Sequence, residues 1–258
     1  MEKLFARNVR RLCGLFIGVM VASGSSVSAQ VAPLAPRWLA GTPPPPVETF
    51  AAGLDRHHIE PNHTALVSAL QDSDGEVRSL AAAQLAAMDD HPALPAIIRA
   101  LEDERDPQVQ VNIAGAATWL GSRRALDELQ RICQNVNVPA TARLDAARYV
   151  SHKEQPTCYS AIEQIERTDQ DPANRVLALQ AAANYRGKAN EAQSLAVAAL
   201  ADLYPEVRIT AADILRALHA THAVPALSDA LQKDVDETAR EHIREAIRVL
   251  RLPRPKDE

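Results

Sequence analysis

The chain has 258 residues, room for one sizeable domain or two small ones, with 3% aromatic residues and only 9 glycines. Alanine and leucine dominate from about residue 60 onward, which favours helix and leaves too few β-branched and aromatic stretches to build a sheet. The formal net charge of −5 becomes −8 once residues 1–29, with four bases and one acid, are removed, and an acidic mature chain excludes nucleic acid as the main partner.

Residues 1–29 read as a signal peptide. Lys3, Arg7, Arg10 and Arg11 precede a short apolar run over 12–22, and Val27-Ser28-Ala29 suits cleavage before Gln30. That run falls short of the roughly 20 residues a bilayer span needs, so no stable transmembrane span is expected after cleavage. An uncleaved anchor is the alternative. Cys13 lies inside the apolar run, a poor place for a lipoprotein cysteine. The expected location is periplasmic or secreted. Residues 30–46 form a Pro-rich tether, in which Pro33, Pro36 and the run Pro43-Pro44-Pro45-Pro46 favour extended backbone. Trp38 within it docks either on a partner or on the chain's own domain. Residues 47–258 are then the repeat domain, opening with a short helix over 47–57 that Pro61 separates from the repeats.

Internal repetition is the strongest signal. Arg78, Gln110, Arg143, Arg175, Arg208 and Arg240 succeed one another at strides of 32 or 33 residues. Three residues beyond each stand Ala81, Ile113, Ala146, Ala178, Ala211 and Ile243; seven beyond stand Leu85, Ala117, Val150, Ala182, Leu215 and Ile247. Offsets of three and seven trace one face of a helix, here called A. Asp74, Asp106, Asp171 and Asp236 lie four residues before the arginine column, where a side-chain oxygen caps free amides of the first turn. Pro107, Pro172 and Pro205 come next, at the first helical position. Asp74, Arg78, Asp106, Asp171, Arg175, Arg208, Asp236 and Arg240 thus form a structural ladder. An aspartate and the arginine four residues on can pair locally, for ~0.3–0.5 kcal/mol, or the arginines can bridge units. A second helix, B, completes each unit, for example over 93–101, 125–132 and 223–231. Ile97, Leu129, Ile162 and Leu227 hold one position in it, with Ser194 the exception.

The stretch Asp74-Gly75-Glu76-Val77-Arg78-Ser79-Leu80-Ala81-Ala82 and the later Trp119-Leu120-Gly121 resemble short HEAT-like repeats of the phycobilisome lyase type. The resemblance covers residues 62–251, and the third unit departs most, with Pro139 for aspartate and Lys153 in an apolar column. It implies an all-α fold, an α-solenoid in which about five to six helical hairpins stack as a right-handed superhelix with the B helices lining its concave face.

Few residues are candidates for chemistry. Cys133 and Cys158 sit eight positions apart in the register of adjacent B helices, about 12 Å at ~1.5 Å per residue. A disulfide needs Cα atoms within about 7 Å, so two separate, semi-buried thiols are expected. His57, His58 and His63 with Glu60 are interrupted by Pro61, which favours a solvated cap over a metal site. His219 and His222 are placed at an A-helix end, where positive charge suits the dipole. Deoxyhypusine hydroxylase resembles these repeats but holds iron with His-Glu pairs, a dipeptide absent from this sequence. No phosphate loop or nucleophile elbow occurs either. The expectation is therefore an exported scaffold with no catalytic residue, cofactor or metal, binding a protein or peptide partner. Its candidate contacts are Arg99, Asp127, Glu128, Arg131, Tyr159, Glu163 and Gln164, with a partly exposed Tyr159 as the anchor. The rival readings are a metal-dependent or lyase-like enzyme and a structural spacer at the cell envelope.

Overall fold

The computed structural model describes residues 51–152 and 156–252; the segments expected as signal peptide and Pro-rich tether, with Trp38, and Lys153 lie outside the described residues. Thirteen α-helices and no strands are found among the described residues. They are α1 (Ala51–Arg56), α2 (His63–Ala69), α3 (Gly75–Ala87), α4 (Leu94–Asp103), α5 (Pro107–Trp119), α6 (Arg123–Gln134), α7 (Ala140–Ser151), α8 (Tyr159–Thr168), α9 (Pro172–Ala183), α10 (Ala189–Ala199), α11 (Pro205–Ala217), α12 (Val224–Lys233) and α13 (Glu237–Arg251). Short 3-10 turns at His91–Ala93, Pro156–Cys158 and Thr221–Ala223 lead into α4, α8 and α12.

The odd-numbered helices from α3 onward are the A helices, and each packs on the next A helix along the chain. Every even-numbered B helix packs on the A helix after it. Neighbours in sequence are therefore neighbours in space, and the fold is an all-α HEAT-like solenoid. The apolar columns read from the sequence form its core: Ala81, Ile113, Ala146, Ala178, Ala211 and Ile243 are all fully buried. Small residues let the A helices approach closely. A Cβ on Gly115 of α5 would lie 2.2 Å from the Tyr149 ring of α7, so only glycine fits there.

The capping aspartates behave as expected. Asp74, Asp106, Asp171 and Asp236 each accept from a first-turn amide, for example Glu76 N at 2.8 Å and Ala239 N at 2.8 Å. Pro139 and Tyr204 hold the same place without a side-chain cap.

The arginines do not pair with those aspartates. Arg78, Arg175 and Arg208 bridge consecutive units instead, through a column two residues before the cap: Asp72, Glu104, Asp169, Asp202 and Asp234, with Asn137 as its neutral member. Each acid accepts the amide two residues on, as in Asp74 N to Asp72 Oδ1 at 2.8 Å and Asp236 N to Asp234 Oδ1 at 3.0 Å. The preceding unit's arginine then meets its carboxylate: Arg78 Nε to Glu104 at 2.7 Å, Arg175 Nε to Asp202 at 2.9 Å, and Arg208 Nε to Asp234 at 2.7 Å. The same guanidinium also donates to the carbonyl of its own unit's acid, Asp72, Asp169 or Asp202, at 2.7–2.9 Å. The loop acid holds backbone amides on one oxygen and accepts Nε of the preceding unit's arginine on the other, at Glu104, Asp202 and Asp234.

Cys133 and Cys158 are joined by a disulfide with Cα atoms 5.8 Å apart, so the expectation of two thiols is corrected. Cys158 belongs to the 3-10 turn Pro156–Cys158 rather than to a B helix, and that turn packs on both α6 and α7. An offset counted along two parallel helices therefore does not apply. Closing a loop of 25 residues stabilises the fold by about 3 kcal/mol.

The exception at Ser194 is a shift in register. The left-handed residue ending the A helix stands eleven places past the arginine column at Asp89, Gly121 and His219, but twelve past it at Gly187. The inserted residue moves α10 along by one, and Leu195 is buried in place of Ser194.

Candidate interaction surface

The B helices carry their buried side chains at Ile97, Leu129, Ile162, Leu195 and Leu227. Two residues on, at one repeat position, stand Arg99, Arg131, Gln164, Val197 and Asp229, all at least partly exposed. This row changes character along the chain. On α4, α6 and α8 it is charged and polar, on α10 it is apolar at Val197, and on α12 it is charged again at Asp229.

The charged part contains most of the residues expected to bind a partner. Arg99 and Asp127 are exposed and form no ion pair with any described residue. Arg131 chelates Glu128 one turn away, its Nε donating to Oε2 at 2.8 Å, and that hydrogen bond holds the guanidinium pKa above its usual value. Arg124 of α6 reaches Glu102 of α4 at 2.5 Å and links the two helix surfaces. Glu163 lies 3.9 Å from Arg167, and Gln164 accepts from the Arg143 guanidinium at 3.0 Å. One end of Gln164 is thus tied to the core while its residue remains exposed.

Tyr159 is not part of this surface. Only 4% of it is exposed; its ring stands edge-to-face against Tyr185 at 5.4 Å, with Lys188 Nζ 5.6 Å from its centroid. Burial pushes its phenol pKa up. The expectation of an exposed anchor failed because Tyr159 directly follows the disulfide-bonded Cys158, and the tethered turn draws the first turn of α8 inward.

The apolar part was not foreseen from the sequence. Between α10 and α12 lies an open groove of about 520 Å³, floored by Val197, Leu200, Ala201, Ala226 and Ala230. Leu203 and Val235 rim it at 83% and 94% exposure, from the loops that enter α11 and α13. Asp229 and Lys233 flank it on α12. The available signal was positional. The residue just after the loop acid is Ser73, Arg105 or Gln170 in earlier units, but Leu203 and Val235 in the last two.

The histidine cluster does not converge. His63 Nδ1 bonds Asp90 Oδ2 at 2.7 Å, and among the described residues no group of three or more His, Cys, Asp or Glu side chains is placed to hold a metal ion. His219 and His222 lie beyond the end of α11, His219 at φ 51° and His222 within a 3-10 turn. His242 of α13 bonds Asp213 of α11 at 3.0 Å. No helix among the described residues is long and apolar enough to cross a membrane.

Comparison with known families matches HEAT repeats over residues 64–149 and the PBS lyase HEAT-like repeat over residues 207–233. No curated protein matches. Among solved structures the chain is similar to human deoxyhypusine hydroxylase in complex with glycerol, at 17% identity and a TM-score of 0.31, over 79% of this chain and 96% of that one. Nothing is carried over from that likeness. Stride, capping aspartates, sequential packing and both family matches agree that the chain carries HEAT-like repeats, matched over residues 64–149 and 207–233.

Proposed function

We propose that the chain is an exported, non-enzymatic scaffold that holds a protein or peptide partner along its B-helix face, the concave face in this repeat class. The observation that carries the reading is the B-helix face, polar at Arg99, Arg131 and Gln164 and opening at Val197 into the apolar groove between α10 and α12. A partner segment that is polar at one end and apolar at the other would match both halves. Solenoids use such extended faces because each unit adds one helix to a continuous surface. Arg99, Asp127, Glu128, Arg131, Glu163 and Gln164 contact the polar end; the groove between α10 and α12 takes the apolar end. Export is supported by the signal-like residues 1–29 and by the disulfide, a bond at home in an oxidising compartment.

The test is chemical crosslinking in cells that express the full chain, comparing wild type with an Arg131→Glu, Val197→Asp double variant. Both sites are on the surface row, so the fold is expected to persist, which circular dichroism checks. A discrete adduct that falls about tenfold in the variant supports the reading. An undiminished adduct removes the B-helix face, and stoichiometric tightly bound zinc or iron in the purified chain favours the enzymatic rival.

A further inference from the structure

The disulfide spans one of the two junctions at which the ion-pair ladder fails. Three unit junctions are closed by buried or half-buried arginine–carboxylate pairs: Arg78 with Glu104, Arg175 with Asp202, and Arg208 with Asp234. At the junction of the second and third units both partners are neutral, Gln110 and Asn137. Gln110 still donates to its own loop carbonyl, Glu104 O, at 2.7 Å, but it carries no charge across the junction. Pro139 explains the change on the other side. In the regular loops the loop acid accepts the amide of the residue two places on, and Pro139 has no amide to give. The turn slips back two residues, and Asn135 Oδ1 instead accepts Asn137 N at 3.0 Å. The third unit's arginine is displaced as well: Arg143 donates to Cys133 O at 3.1 Å and to Gln164, not to a loop carboxylate.

Cys133 ends the B helix of the second unit, and Cys158 lies in the turn between the two helices of the third, so the covalent bond spans this same junction. We propose that the Cys133–Cys158 bond replaces the missing rung and makes this junction redox-dependent. Oxidised, the units form one continuous stack; reduced, the stack opens between α5–α6 and α7–α8. A dithiol reductant supplies two electrons and two protons, the S–S bond breaks to two thiols, and the reductant closes to its own disulfide. Both sulfurs are fully buried, so reduction proceeds through a transient opening of the junction.

Hydrogen exchange of the full chain, read by mass spectrometry with and without dithiothreitol, tests this. Reduction is expected to speed exchange about tenfold in peptides spanning α6, residues 135–139 and residues 156–158, with less than a twofold change in α3 and in α11 to α13. Unchanged exchange throughout, or an even rise over every helix, would overturn the proposal. A second arm places Gln110→Arg, Asn137→Asp and Pro139→Asp in a Cys133→Ala, Cys158→Ala background, restoring the regular loop and its charges. Recovery of at least threefold in local protection over the background is expected. No recovery would show that the missing rung is not what the disulfide replaces.

Discussion

Arg208 shows what one ladder residue does. Its guanidinium meets both oxygens of Asp234 at 2.7 Å and donates to the carbonyls of Asp202 and Leu203 at 2.9 and 3.1 Å. The hydrogen bond from Arg208 holds the Asp234 carboxyl below its usual pKa, so this stability is present above the ordinary carboxylate range and is lost as pH falls through the depressed value. Arg208→Ala leaves a buried carboxylate without its partner and should cost about 2–4 kcal/mol, read from urea denaturation by circular dichroism. Arg208→Lys should recover less than half of that, because a single ammonium does not reproduce a two-point grip. Glu166 behaves in the opposite sense. It is 5% exposed, in the position that Leu101 and Cys133 fill in earlier units, and burial pushes its carboxyl pKa up to about 7. The folded chain therefore keeps a proton that the unfolded chain releases above about pH 4.3, so stability declines as pH rises toward 7 and is level beyond it. Glu166→Gln should remove that decline, leaving the midpoint at about pH 4 nearly unchanged and gaining about 1–3 kcal/mol at about pH 8.

Between elements, α5 meets α7 closely at Gly115. Gly115→Ala places a methyl inside the Tyr149 ring, and Tyr149 is itself buried and cannot swing away. The two helices must part, at about 1–3 kcal/mol, and thermal melts should show the loss. The A-helix ends show how much the sequence told and where it stopped. Met88-Asp89, Leu120-Gly121 and Leu218-His219 turn the chain through one left-handed residue at the same offset. Only Gly121 announces that turn by its residue type; Asp89 and His219 adopt it because the B helix must return over the stack. The capping aspartates, by contrast, were legible because a cap is local: Asp106 needs only the amides of Gln108 and Val109.

Across the whole described region, each unit touches mainly its neighbours, so stability is a chain of junction energies rather than one shared core. The last described A helix, α13, presents Glu241, Arg244 and Arg248 as an exposed polar face. Stride, helix pairs, caps and hence the repeat class were readable from the residues alone, because they depend on periodicity and on hydrogen bonds within a few residues. It took the folded stack to bring Arg175 to Asp202 rather than Asp171, to join Cys158 to Cys133, to turn Tyr159 inward, and to set Leu203 and Val235 on the rim of one groove. Each of these joins residues from different units or depends on a turn whose path no local pattern fixes. The distance between two such groups is set by how hairpins stack, and a one-residue insertion or a single proline is enough to change it.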